Sequence, residues 1–192
     1  MWESKVMSEW EQSRALRQAE IDFLVRAGVP HLALSRDPGA YGFTVMVDGV
    51  VFDGPRFEFA RNLPAPDGAV NALIFVARDQ AGDVIDLVAA RLADNQIGSH
   101  FGRVCLLGQQ HLWAPRLSGD ALNVHADVLG FMRDDRHGVV VVDAERARWL
   151  LADAGRLRVE NERQCRELRS DLRLREPHIE VAAGATYQQV AA

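Results

Sequence analysis

Three side chains stand out as candidates for chemistry: His125, Glu160 and Glu162. Glu160 and Glu162 are separated by one residue, where an extended apolar segment (LRV) gives way to a helical pattern (ERQCRELR). Two carboxylates at such a junction are either a two-oxygen site for a divalent cation or helix N-terminal acids favoured by the helix dipole, with Asn161 as the cap. His125 follows the apolar segment LNV. It is either a functional imidazole or a packed, hydrogen-bonded one. A second group is Arg166, Arg169 and Arg173, spaced three and four apart and so on one face of a helix. Such a face either contacts phosphate or is a solvated surface paired with Glu162, Glu167 and Asp171. Asp143 precedes the helical pattern AERARWLL and reads as its N-cap.

The elements that position these residues alternate from Asp120 onward. Strands are expected near 121–125, 138–142, 156–160 and 178–183, with helices near 126–134, 144–153 and 162–173. The run Val139–Val142 is apolar on both faces, as in a parallel sheet covered on both sides. His125, Asp143 and Glu160 then fall beyond strand ends, where open parallel sheets place their sites. The expected class is α/β (α+β overall): a β-rich N-terminal part, then a mainly parallel four-stranded sheet flanked by helices.

The chain upstream has a different texture. Residues 1–30 read as a helical segment, with a pattern over Ser13–Ala27 closed by Gly28 and Pro30. Residues 31–119 read as a β-rich domain. Its short strands are FTVMV, Val50–Phe52 and RFEFA, with Asp48-Gly49 as a hairpin turn between the first two and Gly54-Pro55 as a second turn. Val70–Arg78 and Asp83–Leu92 follow, joined by a turn containing Gly82. The composition shift near 119 marks the boundary of an α/β domain over 120–183, and 184–192 reads as a tail.

Composition narrows the function classes. The chain has 192 residues and a formal net charge of −5, so no global basic field draws in nucleic acid. Cys105 and Cys165 form no CxxC pair, which gives no zinc-finger or redox motif. No apolar stretch approaches the length that crosses a bilayer, and the charged N-terminus is unlike a signal peptide. The expectation is a soluble, cytoplasmic protein without a membrane partner.

Two stretches resemble bacterial-type DNA primases and their phage relatives. ALIFVARDQAGDVIDLVAARL resembles the hairpin that precedes the catalytic Toprim domain in that family. GRVCLLGQQHLWAPRL is similar to the segment after it. The strand and helix order of residues 120–183 then follows the Toprim order, so the resemblance spans roughly 70–183.

The resemblance implies a site of a glutamate after the first strand and a D-x-D after a later one, holding Mg²⁺, with the glutamate in acid–base transfer. The glutamate position corresponds here to His125, and the D-x-D to Glu160-Asn161-Glu162. The usual Ala-Gly that follows is Gln164-Cys165. Histidine is a poor ligand for Mg²⁺, which prefers hard oxygen donors in octahedral geometry.

The expectation is therefore a nucleic-acid-associated accessory protein derived from a phage or mobile-element primase. Its active site would be degenerate and its Mg²⁺ binding weak, through Glu160 and Glu162. His125, Glu160 and Glu162 would be what remains of the catalytic set, with Arg166, Arg169 and Arg173 meeting DNA or RNA. A Mg²⁺-dependent nucleotidyl transferase or nuclease using Glu160 and Glu162 is the alternative, and a non-catalytic module binding a protein partner is a second.

Overall fold

A computed structural model describes residues 2–35, 44–113 and 117–172. Helix α1 (Trp2–Glu11) leads into the two-residue strand β1 (Arg14–Ala15), then α2 (Gln18–Arg26) and α3 (His31–Ser35). The helical pattern expected over Ser13–Ala27 therefore begins later, at Gln18. The physical reason is pairing: Arg14 and Ala15 lie opposite Val47 and Met46 in a sheet. The backbone N–H of Arg17 then donates to Glu20 Oε2 at 2.7 Å, which starts α2 as half of a capping box.

Strands β2 (Met46–Asp53), β3 (Arg56–Phe59), β4 (Val70–Arg78), β5 (Val84–Arg91) and β6 (Gln96–Ser99) form the first sheet. β2 pairs with both β3 and β4, β4 with β5, and β5 with β6; a parallel contact of β3 with β6 closes the circuit into a small five-stranded barrel. The expected turn at Asp48-Gly49 is not present: β2 runs straight through it. An Asp-Gly pair turns a chain only where its two flanks pair with each other. Here Val47 lies opposite Leu73, and Val50 lies between Phe59 and Val70. Asp48 is held instead by Ser13 Oγ at 3.1 Å and by the Arg61 guanidinium. The reversal comes at Gly54-Pro55, where Asp53 lies opposite Arg56 and Gly54 takes φ +55. The β4–β5 hairpin forms as its sequence suggests.

The second sheet is mixed. Strands β7 (Leu106–Leu107), β8 (Leu122–His125), β9 (Val139–Val141) and β10 (Leu157–Val159) lie in the order β10-β8-β9-β7. β10, β8 and β9 are parallel, and β7 is antiparallel on β9. Helices α4 (Val128–Arg133), α5 (Ala144–Asp153) and α6 (Glu162–Leu172) alternate with them. The fourth strand expected near 178–183 lies outside the described residues. In the described sheet the remaining edge is taken by β7, from upstream of residue 119.

The valine run is interior and feeds two cores. Val139 packs with Leu122, Val124, Ala147, Leu151 and Leu168 under α5 and α6. Val140 and Val142 join Phe131 and Met132 of α4 and, beyond them, Leu24, Leu73, Phe75 and Val88 of α2 and the barrel. One face is thus covered by helices and the other by α4 together with the barrel. Asp143 caps α5 by accepting from the Arg146 N–H at 3.2 Å. Among the described residues no helix is long and apolar enough to cross a membrane.

Candidate functional site

His125 ends β8, buried with 9% of its surface exposed. Both ring nitrogens are engaged. Nε2 lies 2.8 Å from the His137 carbonyl and 3.5 Å from Asp134 Oδ2. Nδ1 lies 3.2 Å from Glu160 Oε1. A carbonyl oxygen only accepts, so Nε2 carries the hydrogen. With that N–H committed, Nδ1 donates to the Glu160 carboxylate when the ring holds both protons. Phe131 flanks the imidazole edge-on at 6.0 Å between ring centres.

Glu160 is brought there by β10, whose parallel pairing with β8 sets Val159 opposite Val124. The local fixing is done by Gln164, itself buried. Its Oε1 accepts from the Glu160 N–H at 2.8 Å, and its Nε2 donates to the Val124 carbonyl at 2.7 Å. Asn161 Oδ1 accepts from the Gln164 N–H at 2.9 Å, which makes Asn161 a cap of α6. Gly130 leaves room for the carboxylate: a Cβ there would overlap Glu160 Oε1 and lie 3.4 Å from His125 Nδ1. Asn123 Nδ2 holds Asp134 at 2.8 Å beside the same imidazole.

Of the expected site residues, the fold brings His125 and Glu160 together. Glu162 is exposed in the first turn of α6 and makes no hydrogen bond or ion pair among the described residues. Arg166 and Arg169 are exposed on α6, away from its buried residues Gln164 and Leu168. Neither has an ion-pair partner among the described residues; the helix's acidic pairing is Arg163 with Glu167 at 2.7 Å. Arg173 lies outside the described residues. Gln164 and Gly130 were not singled out in sequence as site residues. Gln164 did show as a departure from the Ala-Gly of the resembled family, but Gly130 gave no signal before its neighbours were known.

The donor set does not fit Mg²⁺. One carboxylate is turned onto an imidazole, the other stands apart, and no group of three or more His, Cys, Asp or Glu side chains is placed to hold a metal among the described residues. Cys105 is buried, and burial pushes its thiol up, away from thiolate chemistry. A cleft of about 530 Å³ opens between α2 and the ends of β4 and β5, lined mainly by apolar side chains such as Phe23, Leu73 and Leu92, and shares no residue with the His125 site. No protein-family model, curated protein or solved structure matches the chain.

Proposed function

We propose that the protein is a nucleic-acid-associated accessory protein of primase descent, with a Toprim-like second sheet in which polymerising chemistry is lost or much reduced. The observation that carries this proposal is the His125–Glu160 pair. The resemblance assigns the position after the first strand of that sheet to a glutamate that moves protons beside Mg²⁺. Here that position is a buried imidazole with both nitrogens engaged, one of them against the first residue of the E-x-E. A hydrogen-bonded imidazole–carboxylate pair ties two strand ends together and leaves no oxygen cage for a hard cation.

Nucleic-acid association draws its support from Arg166 and Arg169, exposed and without ion-pair partners among the described residues, on a helix that also carries acids. Each phosphate contact to a single strand contributes roughly 0.7 to the slope of log affinity against log salt. Fluorescence anisotropy with a short single-stranded DNA at several salt concentrations tests this. The expected result is weak, salt-sensitive binding, with a smaller slope for Arg166→Gln/Arg169→Gln. Absence of binding at low salt would transfer the proposal to a protein-binding module.

A further inference from the structure

The loop between β6 and β7, residues 100–105, gathers four cations from separate parts of the chain: Lys5 of α1, Arg56 of β3, Arg103 of the loop itself and Arg146 of α5. Arg56 Nη2 donates to the His100 carbonyl at 3.0 Å. Arg146 donates to the Gly102 carbonyl at 2.5 Å and to the Arg103 carbonyl at 3.2 Å. The Arg103 guanidinium lies 3.4 Å over the Trp2 ring, and Lys5 Nζ lies 5.0 Å from the centre of Phe101. These contacts are to carbonyl oxygens and ring faces, which leave the positive charge in place.

Four arginines elsewhere are neutralised, whereas Arg133 rests on the Ala27 carbonyl at 2.6 Å. Arg14 pairs with Glu20, Arg61 with Glu9 and Asp48, Arg91 with Asp94, and Arg163 with Glu167. Lys5, Arg56, Arg103 and Arg146 have no ion-pair partner among the described residues. Three acids sit close by, and none cancels the cluster. Asp86 is enclosed by the loop's own N–H groups, Glu58 is 3.8 Å from His100 Nδ1, and Asp143 caps α5. The loop is also rigid, because Asp86 accepts from Phe101, Arg103 and Val104 at 2.7–3.2 Å. Four like charges on one loop, none of them in an ion pair among the described residues, are locally complementary to an anion although the chain's net charge is −5.

We propose that this cluster is a second nucleic-acid surface, one that takes the phosphate backbone of a single strand and is separate from the α6 arginines. Phosphate is favoured because three of the four are arginines, whose planar forks match phosphate oxygens bidentately. A single strand is favoured because the half-buried rings of Trp2 and Phe101 lie among the cations, as aromatic side chains do along single-strand grooves. The inference rests on the nucleic-acid proposal above and assigns it a further footprint.

The test is a salt series of anisotropy titrations with a short single-stranded DNA, comparing wild type, Lys5→Gln/Arg103→Gln and Arg166→Gln/Arg169→Gln. Losing two phosphate contacts lowers the salt slope by roughly 1.4, and affinity at low salt should fall at least tenfold in Lys5→Gln/Arg103→Gln. Because Arg103 also packs on Trp2, Lys5→Glu alone provides a second variant at an exposed helix position; a several-fold loss is expected with an unchanged thermal melt. Unchanged affinity and slope in both cluster variants, with loss only in the α6 variant, would overturn the inference and leave the nucleic-acid proposal standing. Wild type that fails to bind at low salt overturns both.

Discussion

Asp86 in the barrel and Glu160 at the end of β10 are both carboxylates fixed by hydrogen bonds, and their surroundings differ in kind. Asp86 is fully buried and accepts from the backbone N–H groups of Leu87, Phe101, Arg103 and Val104. Glu160 keeps 43% of its side-chain surface exposed and meets an imidazole nitrogen and one long backbone contact, Ala126 N at 3.4 Å. A carboxylate enclosed by amides has its lone pairs used and its charge solvated by the fold, so its work is to hold a loop. A carboxylate that meets one imidazole nitrogen and keeps a face in water has lone pairs left for another partner. The difference teaches that chemical potential in this chain follows what the acid faces more than which acid it is.

Replacing the two should therefore give unequal results. Asp86→Ala leaves buried N–H groups without an acceptor, and hydrogen bonds to charged groups are worth roughly 1.5–3 kcal/mol each. A loss of about 3 kcal/mol or more is expected in urea unfolding, together with loosening of residues 100–105 in hydrogen exchange. A cost under about 1 kcal/mol would mean that the loop is held by other contacts.

Gly130→Ala should cost far less, because the atom in the way is the end of a flexible side chain. Alanine also favours a helix by about 1 kcal/mol over glycine, so net stability should change by less than that. The effect belongs in the imidazole instead: the ring ¹⁵N resonances of His125 should move in Gly130→Ala and in Glu160→Gln in the same direction. Resonances that stay put in both variants would remove the Glu160–His125 contact from the account.

The smallest effect is expected at Arg14–Glu20, an ion pair at 2.5 Å in which both side chains are one-third exposed. The Arg14 guanidinium, joined by the Arg17 N–H, lowers the Glu20 carboxyl to about 2. A depressed carboxyl contributes stability that is present above the ordinary value near 4.5 and is lost as pH falls from there toward 2. Solvent screening limits this to at most about 1 kcal/mol. Wild type should therefore lose more stability than Glu20→Gln between those pH values, and parallel curves would show that the pair contributes nothing.

Much of the second sheet was legible because its signals are local. The valine run announces a buried strand, Asp143 and Asn161 stand where caps must stand, and both cap their helices. The barrel was less legible because pairing partners are not local. Asp48-Gly49 carries the composition of a turn, yet its flanks pair with β1, β3 and β4. The covering of the valine sheet was half legible for the same reason. Residues 139–142 show that both faces are buried, but not that one of them meets a barrel. At the site, His125 and Glu160 could be named from their places after strands. Their contact depends on the register of β10 against β8 and on the space above Gly130, which no single stretch of sequence displays.

The central claim is that the strand-end position is closed by the His125–Glu160 pair and offers no oxygen cage for a hard cation. Titration calorimetry with Mg²⁺ tests it most directly. A site with two ill-placed carboxylates and an imidazole predicts a dissociation constant on the order of millimolar or weaker, unchanged in Glu160→Gln/Glu162→Gln. Micromolar Mg²⁺ binding that disappears in that double variant would contradict the claim and favour a metal-dependent enzyme.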